Sequence, residues 1–149
     1  MLDDGPCPVG VESTILATSP LRILRSGGLP AEEIARVTGQ QPELPRLVDD
    51  TAPSAPGQLT SHYAPRKPVR LNRETATDGA LWLAFGPSSD GAALNLSHSG
   101  DLAEAAATLF DALHRLDEMK GAEIHVAPIP DQGLGAAIND RLRRAAAPR

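Results

Sequence analysis

The stretch DLAEAAATLFDALHRLDEMKGAEIHVA, residues 101–127, decides how the chain is read. Asp101 followed by Glu104 has the spacing of a capping box, in which a side-chain oxygen takes an orphan N–H of the first helical turn. Leu102, Ala106, Leu109, Phe110, Leu113 and Leu116 recur at helical spacing as far as Met119, and Gly121 ends the helix. Glu123-Ile124-His125-Val126-Ala127 then reads as a short strand. A helix that feeds directly into a strand implies layers of helix on sheet.

The flanks agree. Val69-Arg70-Leu71, Leu81-Trp82-Leu83-Ala84-Phe85 and Ala92-Ala93-Leu94-Asn95-Leu96 read as strands before the helix. A second helix starts at about Leu134, with Ile138, Leu142 and Ala145 on one face. Strand–helix–strand–helix order with short connections favours a parallel sheet with right-handed crossovers. Residues 68–149 are therefore expected to form a small α/β domain and the ordered core of the chain.

Residues 1–40 are different. Ser13-Thr14-Ile15-Leu16 and Leu21-Arg22-Ile23-Leu24 read as two strands divided by Ser19-Pro20 and closed by Ser26-Gly27-Gly28. Pro30-Ala31-Glu32-Glu33 opens a helix, with Ile34 and Val37 as its apolar side and Gly39 as its stop. Two strands and one helix cannot close a core, so this segment reads as the end of something larger, with strand edges and apolar surface left uncovered. Between the two regions, prolines at 42, 45, 53, 56 and 65 make residues 41–67 an extended, semi-rigid linker.

Composition sets bounds on function. Of 149 residues 41% are hydrophobic and 22% charged, a globular balance, and with only 3% aromatics the core must be built from aliphatic side chains. The net charge of −5 argues against a general nucleic-acid binder. Cys7 is the single cysteine, so no internal disulfide forms and a reducing compartment fits. No apolar run approaches the roughly 18 residues of a membrane span, and the N-terminus lacks a secretory pattern, so a cytoplasmic location is expected. The common glycine-rich phosphate loops are missing. His62, His98, His114 and His125 lack metal-ligand spacing, and no metal site is expected. Gly133-Leu134-Gly135 reads as a packing device at a helix entry, and Arg141, Arg143 and Arg144 suit the negative end of the helix dipole.

Two local patterns carry chemistry. In Pro8-Val9-Gly10-Val11-Glu12-Ser13-Thr14-Ile15, adjacent hydroxyls at a strand start can donate to carboxylate or phosphate oxygens, while Gly10 lets a ligand or another backbone come close. In Leu24-Arg25-Ser26-Gly27-Gly28, an arginine beside glycines offers a planar fork to phosphate. Either pattern is also ordinary turn chemistry.

Taken in order, these pieces resemble one family. Asp3-x-Gly5-Pro6-Cys7-Pro8-Val9-Gly10-Val11-Glu12-Ser13-Thr14-Ile15 and Arg22-Ile23-Leu24-Arg25-x-Gly27-Gly28 are similar to the last strands of the catalytic domain of YrdC-type threonylcarbamoyl-AMP synthases. Ala55-Pro56-Gly57-x-x-x-Ser61-His62-Tyr63-Ala64-Pro65 resembles the linker of the long, two-domain form. Gly100-Asp101-Leu102-x-Glu104-Ala105-Ala106 and Gly133-Leu134-Gly135-x-Ala137-Ile138-Asn139-Asp140-Arg141-Leu142 resemble its C-terminal domain.

The resemblance implies an α/β chain in three parts: the tail of a YrdC-like catalytic domain (1–40), a Pro-rich lid-like linker (41–67) and a small Rossmann-like, parallel-sheet C-terminal domain (68–149). It implies a nucleotidyltransferase that joins L-threonine, bicarbonate and ATP into threonylcarbamoyl-AMP with release of pyrophosphate, magnesium accompanying the ATP, for threonylcarbamoyladenosine modification of tRNA. Ser13 would bind L-threonine, Arg25 and Tyr63 would bind ATP or the adenylate, and Thr14 and His62 are weaker candidates. The basic motif that grips the triphosphate and the Ser-Ala-Asn segment of the family have no counterpart here, and Asp4 stands where glycine is usual. The chain alone is therefore expected to be inactive and to need a missing catalytic half or other tRNA-modification proteins. The alternative is a non-catalytic module that docks a partner or upstream subunit. Direct tRNA binding through Arg141–Arg144 is not expected, given the acidic balance.

Overall fold

The computed structural model describes residues 9–11, 13–45 and 64–147. An antiparallel hairpin, β1 (Ile15–Thr18) and β2 (Leu21–Arg25), is followed by α1 (Ala31–Thr38). The remaining elements are β3 (Val69–Arg70), β4 (Ala80–Ala84), β5 (Leu94–Asn95), α2 (Leu102–Glu118), β6 (Glu123–Val126) and α3 (Leu134–Ala145). Strands β3 to β6 form one parallel sheet in the order β3-β6-β4-β5. The mixed α/β class and the parallel sheet are those expected.

Alternation along the strands sorts side chains between two faces. Leu83 of β4 and Ile124 and Val126 of β6 join Leu109, Leu116, Ile138 and Leu142 in the main core, so α2 and α3 cover the same face and pack on each other. The opposite face carries Trp82, Ala84 and Ala127 beneath Ala76 and Ala92 of the loops. The Trp82 indole N–H donates to the Arg73 carbonyl at 3.1 Å, which satisfies the one polar atom of that side chain. Buried His125 lies 2.7 Å through Nε2 from Glu123 Oε1, and Arg70 also reaches Glu123. Hydrogen bonds from His125 and then Arg70 hold the Glu123 carboxyl below the usual carboxylate range.

Helix α2 forms where the periodicity places it, burying Ala105, Ala106, Leu109, Ala112, Leu113 and Leu116. Asp101 accepts from the Glu104 N–H at 2.8 Å, but the return half of the cap is made differently. The Asp101 N–H donates to Ser97 Oγ at 2.9 Å, and the Ser97 hydroxyl donates to the Glu104 carboxylate. A buried serine thus stands between the two members of the box. Strand β5 is shorter than the apolar run 92–96: the Ala92 N–H turns back to the Ser89 carbonyl, while the Ala93 and Leu96 N–H groups flanking the strand still donate to Trp82 and Ala84 of β4.

The hairpin region is tied to this domain and not isolated from it. Val11 belongs to the main core, at 1% exposure. Gly10, at φ 70°, lies flat on α2: a Cβ there would come within 2.2 Å of the Ala106 carbonyl oxygen. Of the two uses open to Gly10, close approach of another backbone is the one realised. Residue Glu43 extends the small sheet, its carbonyl accepting from Ile23 N–H at 2.8 Å and its N–H donating to Leu21. Helix α1 ends at Gly39 in the left-handed region, as the sequence suggests, but Val37 does not mark its inward side. Only Ile34 is buried, and Val37 is 74% exposed. An eight-residue helix with one inward position has a strip too narrow to take in both residues.

Candidate functional site

Four segments meet at the end of the hairpin. Residues 15 and 16 of β1 face residues 25 and 23 of β2, so β2 carries one extra residue there. Such a bulge re-aims the side chains beside it. The Arg25 guanidinium donates to the Ser13 carbonyl through Nε at 3.1 Å and Nη2 at 3.0 Å. Gly27 packs on the Ser13–Thr14 peptide so closely that a Cβ would lie 2.5 Å from Thr14 N. The Thr14 hydroxyl donates to the Leu29 carbonyl at 2.9 Å and accepts the Leu29 N–H at 3.0 Å. Ser13, Thr14, Arg25 and the glycine loop therefore form one knot, with Ser13 on its exposed side.

The fourth segment is α3. Arg141 donates through Nη2 to the Ser26 carbonyl at 3.0 Å and through Nη1 to Asp140. Asp140, buried to 6% exposure, also receives Arg144 Nε at 3.1 Å and Nη2 at 3.0 Å. Burial pushes the Arg141 guanidinium below the ordinary arginine value, the Asp140 charge opposes that, and nearby Arg25 pushes further down. Arg143 reaches Asp131 instead. The arginine-rich helix end is thus engaged with carboxylates and with the hairpin, a larger role than the dipole placement read from sequence. At the other end of α3, Glu32 accepts the Gly133 N–H at 3.4 Å. Gly135 is a packing glycine, since a Cβ would overlap the Pro130 carbonyl.

A cavity of about 370 Å³ lies between the hairpin region and the start of α3. Its walls are mainly apolar (Ile23, Leu29, Pro42, Leu44), with Glu32 and Asp131 at its edge. Ser26 and Gly27 line it, whereas Ser13, Thr14 and Arg25 lie outside that lining. Tyr63 and His62 lie outside the described residues, as do Ser61 and Cys7. Among the described residues no three His, Cys, Asp or Glu side chains group to hold a metal ion, and no helix is long and apolar enough to cross a membrane. Sequence reasoning missed Arg141 as the partner of the glycine loop, and Asp140 as the carboxylate that holds Arg141. The i, i+4 spacing of Asp140 and Arg144 was visible, but the reach to Ser26 was not.

The family model for the C-terminal domain of threonylcarbamoyl-AMP synthase matches residues 29–147. The chain belongs to the threonylcarbamoyl-AMP synthase family. The threonylcarbamoyl-AMP synthase of Pyrococcus abyssi is 33% identical over 97% of this chain and 48% of that protein. The Bacillus subtilis threonylcarbamoyl-AMP synthase is 31% identical over 98% of this chain and 48% of its own length. The crystal structure of P. abyssi Sua5 complexed with L-threonine superposes with a TM-score of 0.79 at 32% identity, covering 97% of this chain and 48% of that one. The chain spans about half the length of these members of the synthase family.

Proposed function

We propose that this chain forms one wall of the adenylate site of an L-threonylcarbamoyladenylate synthase, which converts L-threonine, bicarbonate and ATP into threonylcarbamoyl-AMP and pyrophosphate for tRNA modification. In this reading Ser13 faces L-threonine, and Arg25 is the cation nearest the nucleotide. The observation that carries it is the knot itself: the hydroxyl pair and the glycine-flanked arginine, read separately in sequence, are held together in a family member. The likeness to a P. abyssi protein complexed with L-threonine supports the same substrate class. Thr14, with its hydroxyl committed to Leu29, serves to shape the loop. Tyr63 and His62 are proposed to act from the linker, over the nucleotide. Magnesium enters as the counter-ion of ATP.

The chemistry suits this wall. Condensation of the threonine amine with bicarbonate forms the N–C bond of a carbamate and releases water, and a carbamate oxygen then bonds to the α-phosphorus of ATP as pyrophosphate leaves. Such displacement is catalysed mainly by positioning and charge neutralisation. The grip on the triphosphate belongs to the other wall, so the chain by itself is proposed to be inactive. A direct test replaces the second half of the P. abyssi relative with this chain. The hybrid should release pyrophosphate from ATP only when L-threonine and bicarbonate are present, and the chain alone should release none. A hybrid that folds by circular dichroism yet shows no threonine-dependent release would count against the reading.

A second reading, a docking module without catalysis, draws on Leu29, Val37 and Leu44, the large apolar side chains left exposed among the described residues. It expects the chain to bind a separate catalytic half with no contribution from Arg25. The arginines that tRNA contact would use are instead held by Asp140 and Asp131.

A further inference from the structure

We propose that Arg141, on the last helix, is a positioning residue for the site at the hairpin's end: it fixes the Ser26 carbonyl and through it the loop against which the Ser13–Thr14 peptide is packed. The purpose assigned to that site rests on the function proposed above, but the geometry does not.

An arginine that merely complements a helix dipole keeps its head in water, as Arg143 does at 44% side-chain exposure. The Arg141 side chain is only 10% exposed and its charge lies near that of Arg25. Burying a cation beside another cation costs free energy unless specific partners offset it. Arg141 has both: Asp140 on one arm of the fork and the Ser26 carbonyl, 115 residues earlier, on the other. Arg144 grips Asp140 bidentately and keeps that carboxylate in place, so the Arg141 fork is aimed before it meets the loop.

Ser26 is the residue between Arg25 and Gly27. Its neighbour on one side clamps the Ser13 carbonyl, and its neighbour on the other abuts the Ser13–Thr14 peptide. Holding the Ser26 carbonyl therefore fixes both contacts with one hydrogen bond. The C-terminal domain, through α3, thereby sets the geometry of residues 13–14 and 25–27. A lysine would keep the charge, but its single ammonium lacks the planar fork that meets both acceptors.

The test is hydrogen exchange on the whole chain, comparing wild type with Arg141→Met and Arg141→Lys. Loss of a hydrogen bond to a charged group should speed exchange in residues 13–29 by about tenfold or more, with amides of α2 and β6 within about twofold. Arg141→Lys should not restore the loop. Unchanged exchange at 13–29 in Arg141→Met overturns the proposal, as does an increase spread equally over α2 and β6, which marks a general loss of stability. In the hybrid synthase, kcat/KM for L-threonine should fall about tenfold or more in both variants, since small misplacements are costly in catalysis. A wild-type hybrid without activity would remove the functional reading, while the exchange result would still decide whether Arg141 holds the loop.

Discussion

The hairpin with α1 and the parallel-sheet domain are built on different terms. In the sheet domain Leu83, Leu109, Leu116, Ile124 and Ile138 are all at 0% exposure and form one core between the sheet and the two helices on its face. Within 13–45 the buried aliphatic residues are Ile23 and Ile34, while Leu29, Val37 and Leu44 face outward. One region makes its own core. The other is held by anchors: Gly10 and Val11 on α2, Glu32 on the start of α3, and Arg141 on the glycine loop. The candidate site sits on the region whose described residues bury little of their own, which lets its geometry depend on the domain beside it.

The hardest way to break this arrangement is to damage the domain that supports both. Leu109→Ala removes a fully buried side chain between α2 and the sheet and should cost about 2–5 kcal/mol, measured by urea unfolding. Both regions should lose exchange protection together, because the described residues of the hairpin region form no core cluster of their own. If the hairpin kept its protection while the sheet lost it, the hairpin would not depend on the sheet domain. A narrower break is Gly27→Ala. Its new methyl would meet backbone atoms of Ser13 and Thr14 at 2.5 Å, and overpacking of this kind costs about 1–3 kcal/mol. The damage should be local: residues 13–29 open, and α2 and β6 remain closed. Global unfolding at the same denaturant concentration as Leu109→Ala would blur the distinction between the two regions.

How much of this was legible in the sequence follows the same divide. Helix α2 was readable end to end because its cap and its period are local, and a self-contained core imposes both. The hairpin was readable from Ser19-Pro20 and the glycines that flank its strands. Its anchoring was not. The Arg141–Ser26 contact spans 115 residues, and nothing in either segment marks the other. In sequence Arg141 is one of three arginines suited to the negative end of the helix dipole, and nothing beside it separates the buried one from the exposed Arg143. Ser97 likewise gave no sign that it would take over half of the α2 cap, because its role depends on where β5 ends. Ser13, Thr14 and Arg25 stand out in the sequence by residue type and by the motifs that carry the family resemblance, and the structure adds that the Arg25 side chain clamps the Ser13 carbonyl while the Thr14 hydroxyl is tied to Leu29.

Val37 lies on α1, one turn after Ile34, and its side chain is 74% exposed. Serine and valine have similar helix propensity, so Val37→Ser should change the stability of the chain by less than about 0.5 kcal/mol. A thermal melt on dilute protein would show this as an unchanged midpoint. A clear drop would mean that something covers Val37 in solution. If that drop grows with protein concentration, the cover is a second copy of the chain, because mass action stabilises only what associates. A drop independent of concentration would place the cover within the chain itself, and the hairpin region would then own more of a core than its described residues display. An unchanged melt leaves Val37, with Leu29 and Leu44, as apolar surface on the region that carries the site, the surface on which the docking reading draws.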